Sequence, residues 1–180
     1  IGSHVDLAAA AEHGVAVVEG MGDPVAPAEL TWALILAASR KLPQYASLLR
    51  QGLWQASSIE PARNSLGRTL NGRAMGIWGY GRIGQLIASY ARAFGMSVIV
   101  WGSESSRAKA VADGWQAAAS KEDLFRRSDV LSLHLRLSDS TRHCVSAADL
   151  AQMKPDALIV NTSRAELIGP DALLSLIHIS

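Results

Sequence analysis

"GIWGYGRIGQLIASYARAFG", residues 76–95, decides the fold of this chain. It opens as an apolar run, breaks on Gly79, Gly81 and Gly84, and resumes with Ile83, Ile87, Tyr90 and Phe94 at helical spacing. The glycines therefore fall where a strand over 74–78 turns into a helix. The spacing G-x-G-x-x-G has a steric reason at such a junction. Gly79 permits the tight turn, and Gly81 lets the backbone approach a diphosphate that any Cβ would displace. Gly84 lets the helix pack closely on the strand. N–H groups near Arg82 and Ile83 would then point at the anion, assisted by the helix dipole.

The rest of the chain supplies the context that this turn needs. From Arg73 onward, strands and helices are expected to alternate. Ser97 to Trp101 is a predicted strand, and Arg107 to Asp113 a helix. Ser120 with Asp123 reads as a capping box opening a helix over 121–127. "DVLSLHLRL" alternates with period two, placing Leu131, Leu133, Leu135 and Leu137 on one face and Val130, Ser132, His134 and Arg136 on the other. Ser146 with Asp149 opens a further helix, and "ALIVN" at 157–161 is a buried strand. Strands separated by helices pair in parallel, so the fold class is α/β with a doubly wound, Rossmann-type sheet.

Upstream, Asp6 to Glu12 is predicted helical, with Gly14 and a short strand, Val15 to Val18, after it. "MGDPVAP" is a turn-rich break, and Pro27 suits the first turn of the next helix. That helix, "AELTWALILAASRKL", is apolar on nearly every side from Leu30 to Ala38, which predicts burial between two domains or two subunits. Residues 51–72 are polar and irregular, as in a connector.

Composition excludes several classes. The chain has 180 residues, 49% apolar and 18% charged, enough for a real core. Its 17 basic and 16 acidic residues are evenly spread, with no basic stripe for nucleic acid. No apolar run approaches the length of a membrane span. Cys144 is the single cysteine, which excludes an internal disulfide and a thiolate metal cluster and accords with a cytoplasmic setting. Trp32, Trp54, Trp78, Trp101 and Trp115 are spread out and serve packing, and His134 is expected to be structural.

The end of the second strand bears on the choice of nucleotide. A carboxylate there usually holds the adenosine ribose hydroxyls. The sequence "VIVWGSESSR" instead places Gly102 at that point, with Glu104 two residues late. Ser103, Ser106 and Arg107 are suited to a 2′-phosphate. NAD and NADP both remain open.

Four stretches together resemble the D-isomer-specific 2-hydroxyacid dehydrogenases: "GSHVDLAAAAEHGVAV", "PAELTWALILAASRKLP", "LNGRAMGIWGYGRIGQLIASYARAFGMSVIVW" and "SDVLSLHLRLSDSTRHCVSAADLAQMKPDALIVNTSRAELI". The resemblance implies a nucleotide domain inserted into a flavodoxin-like substrate domain built from both ends of a longer chain. Residues 1–25 would be the remnant of that substrate domain. Residues 26–72 would hold a long interdomain helix near 27–50 and a connector, and residues 73–174 the NAD(P)-binding domain.

The resemblance also implies roles. Arg164 matches the family's catalytic arginine, whose guanidinium clamps a substrate carboxylate and polarises the 2-oxo group. Thr162 and Ser163 would border the nicotinamide ribose through the backbone, and Leu135, Arg136 and Thr141 match the loop under the nicotinamide. Gly79, Gly81, Arg82, Ile83, Gly84, Gly102 and Ser103 complete the expected cofactor contacts, and no metal is expected. Arg136 stands where the family usually has proline, and Ala165 where it commonly has glycine.

The family's catalytic glutamate and histidine would lie beyond residue 180, and His178 falls too soon after Arg164 to replace the latter. "SLIHIS" at 175–180 is expected to be foreign sequence. The implied activity is hydride exchange between NAD(P) and C2 of a small 2-hydroxy or 2-oxo acid, in a full-length homodimer, with this portion binding only cofactor. One alternative is a nucleotide-sensing module like the corepressors that share the fold. Methyl transfer from S-adenosylmethionine is another, opposed by "NTSR" and "SDVLSLHL".

Overall fold

The computed structural model describes residues 5–18, 20, 22–53 and 67–173. Five strands, β1 (Ala74–Trp78), β2 (Ser97–Trp101), β3 (Gln116–Ala117), β4 (Val130–Leu133) and β5 (Leu158–Asn161), form one sheet in the order β3-β2-β1-β4-β5. Every pairing is parallel, with Trp78 level with Trp101 and Leu133. The chain thus winds outward from β1 in both directions, and the order reverses between β1 and β4. Such reversals leave a crevice beyond the strands' carboxyl ends.

Helices cover both faces. On one lie α2 (Val25–Ser39) and α4 (Arg82–Ala93), with Ile35, Met75, Ile77, Ile87 and Val100 buried between them and the sheet. Trp32 of α2 meets the Tyr90 and Phe94 rings at 5.9 and 5.1 Å. The other face buries Leu131, Leu133, Leu124 and Phe125, the last two from α6 (Lys121–Arg127). Trp78 packs edge-on against Phe125 at 5.9 Å. Both Leu and non-Leu positions of β4 are buried, so its period-two pattern does not separate a core face from a solvent face. A central parallel strand has helices on either side.

Several expectations are corrected. Val15 to Val18 is exposed and forms no strand among the described residues. The long helix near 27–50 is two helices, α2 and α3 (Leu42–Arg50), broken where Lys41 adopts a left-handed φ of 53° ahead of Pro43. Within this chain α2 turns Ala28, Thr31, Trp32, Ile35 and Ser39 inward and leaves Leu30 and Leu34 exposed. Helix α5 (Glu104–Ala112) starts three residues early because the Ser103 hydroxyl caps it through the Ser106 N–H. At α6 only half the capping box forms; the Asp123 carboxylate reaches the Ala119 N–H instead. The full box occurs at α7 (Ala147–Leu150), between Ser146 and Asp149. Helix α1 (Leu7–Glu12) forms where a helix over 6–12 is expected, with Asp6 as its cap instead of its first residue. The connector lies largely, and "SLIHIS" wholly, outside the described residues.

Candidate functional site

The β1–α4 turn is shaped by what its glycines lack. Gly79 has a φ of +102°, and a Cβ there would stand 2.5 Å from the His134 carbonyl oxygen. A Cβ on Gly84 would collide with the Gly79 carbonyl and crowd Ile77. Gly81 differs: its φ is −81°, and a Cβ would meet nothing within 4 Å. The fold has no need of glycine at 81, so the empty space there is available to a ligand. Gly81 also begins α4 without any side-chain cap. The first N–H groups of that helix lack the partner that Ser103, Ser120 and Ser146 give α5, α6 and α7.

A cavity of about 630 Å³ opens in front of this turn, lined by Asp23, Gly81, Arg82, Ile83, His134 and Arg136 among others. The Arg82 guanidinium donates to the Gly22 carbonyl on the opposite wall. At the tip of β2, Gly102 lies against the turn, its Cβ position 3.8 Å from the Gly79 Cα. Gly79 N–H donates to the Trp101 carbonyl at 2.9 Å, which fixes that neighbourhood.

His134 follows β4. Its N–H donates to the Trp78 carbonyl at 2.8 Å, its Nε2 pairs with the buried Ser132 hydroxyl at 2.8 Å, and its Nδ1 is buried with no partner among the described residues. Burial pushes the imidazole pKa down to about 4, so the ring is neutral at physiological pH. Leu135 packs its Cδ2 beside Gly79. Beyond it Arg136 is exposed, and Thr141 closes the loop by donating to the Arg136 carbonyl at 2.7 Å.

The turn after β5 is held by side chains. Asn161 Oδ1 accepts from the Ser163 N–H at 3.1 Å, and its Nδ2 donates to the Arg164 carbonyl at 2.8 Å. Ser163 Oγ donates to the Leu133 carbonyl at 2.9 Å. Thr162 Oγ1 lies 2.7 Å from Thr31 Oγ1, which donates to the Pro27 carbonyl, so the proton in the Thr–Thr pair comes from Thr162. With both hydroxyls engaged, the main chain is what residues 162 and 163 leave for a ligand. Arg164 is exposed and donates to the Ser163 carbonyl at 2.9 Å, beside a cavity of about 580 Å³ that Thr162 and Asp171 also line. Sequence reasoning missed Asn161 and Thr31. An Asn opening N-T-S-R is an Asx-turn signal, but nothing local announces the Thr31 contact across 131 residues.

Residues 32–179 match the sequence pattern described as the D-isomer specific 2-hydroxyacid dehydrogenase, NAD binding domain. The chain belongs to this family. It is 38% identical to a glyoxylate reductase of Aeropyrum pernix over 173 residues, covering 95% of this chain and 51% of that protein. A D-3-phosphoglycerate dehydrogenase of Methanocaldococcus jannaschii is 35% identical, with 94% of this chain and 32% of that protein covered. Among solved structures, a phosphoglycerate oxidoreductase from Vibrio cholerae superposes with a TM-score of 0.89 at 55% identity, over 98% of this chain and 55% of the other. The chain therefore spans about half the length, or less, of these relatives.

The chain carries the family's NAD-binding domain, and its residues fit a dinucleotide. The open space at Gly81 and the uncapped start of α4 suit a diphosphate. Arg82, Arg107, Arg136 and Arg164 stand at the carboxyl end of the sheet, none in an ion pair with a carboxylate among the described residues. Those residues also contain no group of His, Cys, Asp and Glu able to hold a metal, and none of their helices is long and apolar enough to cross a membrane.

Proposed function

We propose that this chain is the cofactor-binding portion of an oxidoreductase acting on a small 2-hydroxy or 2-oxo acid. The observation that carries it is the contrast at the turn: the fold itself requires Gly79 and Gly84, whereas Gly81 is free of neighbours. A glycine that packing does not demand is explained by a ligand that does. The bound nicotinamide supplies the hydride acceptor or donor for C2 of the acid. Main-chain N–H groups of Arg82 and Ile83 hold the diphosphate, with Gly79, Gly81 and Gly84 making room. Gly102 and Ser103 face the adenosine ribose. Leu135, Arg136 and Thr141 support the nicotinamide from one side, and the backbone of Thr162 and Ser163 from the other. Arg164 clamps the substrate carboxylate and draws charge from the 2-oxo group.

The proton-transferring histidine and its carboxylate partner belong, in this proposal, to sequence that the chain does not contain. His134 is a poor substitute, because burial keeps its ring neutral and holds its pKa near 4. Residues 1–25 are proposed as a substrate-domain remnant, 26–72 as interdomain helices and connector, and 73–174 as the cofactor domain, in a cytoplasmic protein. The exposed Leu30 and Leu34 on α2 support homodimerisation of the full-length protein.

Titration of the 180-residue chain with NADH and NADPH, followed by nicotinamide fluorescence, should show binding without oxidation when hydroxypyruvate is added. Gly81→Val should weaken both cofactors by at least about 100-fold while costing no more than about 1 kcal/mol of stability, the loss of a tolerated helix cap. Unchanged affinity in this variant would remove the basis for the proposal.

A further inference from the structure

The tip of β2 departs from a site built for a bare ribose. Gly102 offers no carboxylate for the 2′-hydroxyl, and none to repel a phosphate placed there. Five residues on, Arg107 folds back over the Trp101 ring, its guanidinium carbon 4.8 Å from the ring centre. Trp101 is the last residue of β2, so the positive charge is stacked beside the strand tip and next to the glycine turn. Arg107 Nε is buried with no partner among the described residues, and the guanidinium joins no ion pair there. Lys109, two residues on in the same helix, is by contrast paired with Asp113.

The hydroxyls beside Arg107 are also directed. Ser106 N–H donates to Ser103 Oγ at 3.2 Å, and Ser103 Oγ donates to Ser106 Oγ at 3.0 Å. That leaves the Ser106 hydroxyl proton without an acceptor among the described residues. An unpaired guanidinium and a spare hydroxyl proton, with no acid at the strand tip, suit a dianionic phosphate.

We propose that Arg107 and Ser106, the latter's hydroxyl oriented by Ser103, hold the 2′-phosphate of the adenosine ribose, so that this chain prefers NADP(H) to NAD(H). The proposal rests on the assignment of the glycine turn to the dinucleotide diphosphate. Equilibrium titration of the 180-residue chain with NADPH and with NADH measures it directly, independent of turnover. NADPH should bind at least about tenfold more tightly, as one charge-assisted phosphate pair provides. Arg107→Ala should weaken NADPH by about tenfold or more and leave NADH within about twofold.

Ser103→Asp keeps the helix cap, since Asp caps as well as Ser, but places a carboxylate beside the ribose. It should reverse the preference towards NADH without lowering the melting temperature. NADH binding as tightly as NADPH in the parent chain would overturn the proposal while leaving the glycine turn intact. Loss of NADH affinity in Glu104→Gln would overturn it as well, by assigning the ribose hydroxyls to Glu104. Failure of both cofactors to bind would defeat the glycine-turn assignment and this proposal together.

Discussion

Where β1, β4 and β5 begin, acidic side chains tie the strands together; where the same strands end, basic side chains stand apart from every carboxylate among the described residues. At the first end, Asp129 accepts the Ala74 N–H at 2.7 Å and Lys154 Nζ at 2.8 Å, with Arg73 at 3.7 Å. Asp156 beside it accepts Arg68 at 2.6 Å and Arg73 at 3.5 Å. At the other end Arg82, Arg136 and Arg164 donate, among the described residues, at most to main-chain carbonyls. Charge at the amino end is consumed in joining strands. Charge at the carboxyl end is left over, and uncommitted cations beside a cavity bind anions. The sheet thus separates cohesion from recognition by direction along its strands.

That separation breaks if removing charge at the amino end impairs binding. Asp129→Ala should lower stability by about 2–3 kcal/mol, because it strips the Ala74 N–H and Lys154 of their acceptor at once. Cofactor affinity should stay within about twofold. Urea denaturation and fluorescence titration of the same variant decide between the outcomes. Together with Gly81→Val it forms a crossed pair, one losing chiefly stability and the other chiefly affinity. A tenfold affinity loss in Asp129→Ala would show that the two ends are coupled.

Acid should reach the two ends at different pH. His134, at the carboxyl end, takes its proton at about 4 in the folded chain against 6.5 for an unhindered imidazole, because burial resists the charge. Between those values the unfolded chain binds more protons, so stability falls as pH falls through that window. His134→Gln should abolish this loss and gain about 2 kcal/mol over the parent at pH 5, with little difference at pH 8. At Asp129, burial opposes ionisation, but Lys154 and the Ala74 N–H outweigh it and hold the carboxyl below its ordinary 3.8. Its contribution is present above that value and is lost only as pH falls further. Thermal melts from pH 8 to 3 should therefore show two steps, of which His134→Gln removes the upper one.

The carboxyl end was the more legible in the sequence, for a steric reason. A missing Cβ acts on whatever lies nearby: Gly84 meets Gly79 and Ile77 within a few residues of itself, the positive φ of Gly79 belongs to its own turn, and the alternation of strands and helices says where they sit. The break at Lys41 was harder to see, since the family resemblance implies one long helix near 27–50. Pro43, placed in the first turn of α3, was the signal. The exposure of Leu30 and Leu34 was not legible, because all-round apolarity does not tell which face the core takes. Contacts such as Asp129 with Ala74 depend on strand order and leave no local trace.

The smallest expected effect tests how far the carboxyl end is itself bound to the fold. Thr162 donates to Thr31, which passes a proton on to the Pro27 carbonyl, and this chain is the hydroxyl link from α2 to the turn that carries Arg164. Thr162→Val leaves the Thr31 hydroxyl still bonded to Pro27. Thr31→Val leaves Thr162, which is only half-buried, free to find water. Each single variant should therefore cost less than about 1.5 kcal/mol, and the double-mutant coupling should be about 0.5–1 kcal/mol. Urea denaturation of the four proteins gives that coupling. A value near zero would leave the Arg164 turn held by Asn161 and Ser163 alone. A value above about 2 kcal/mol would make this end as strongly knitted as the end at Asp129, and the division of labour along the strands would no longer hold.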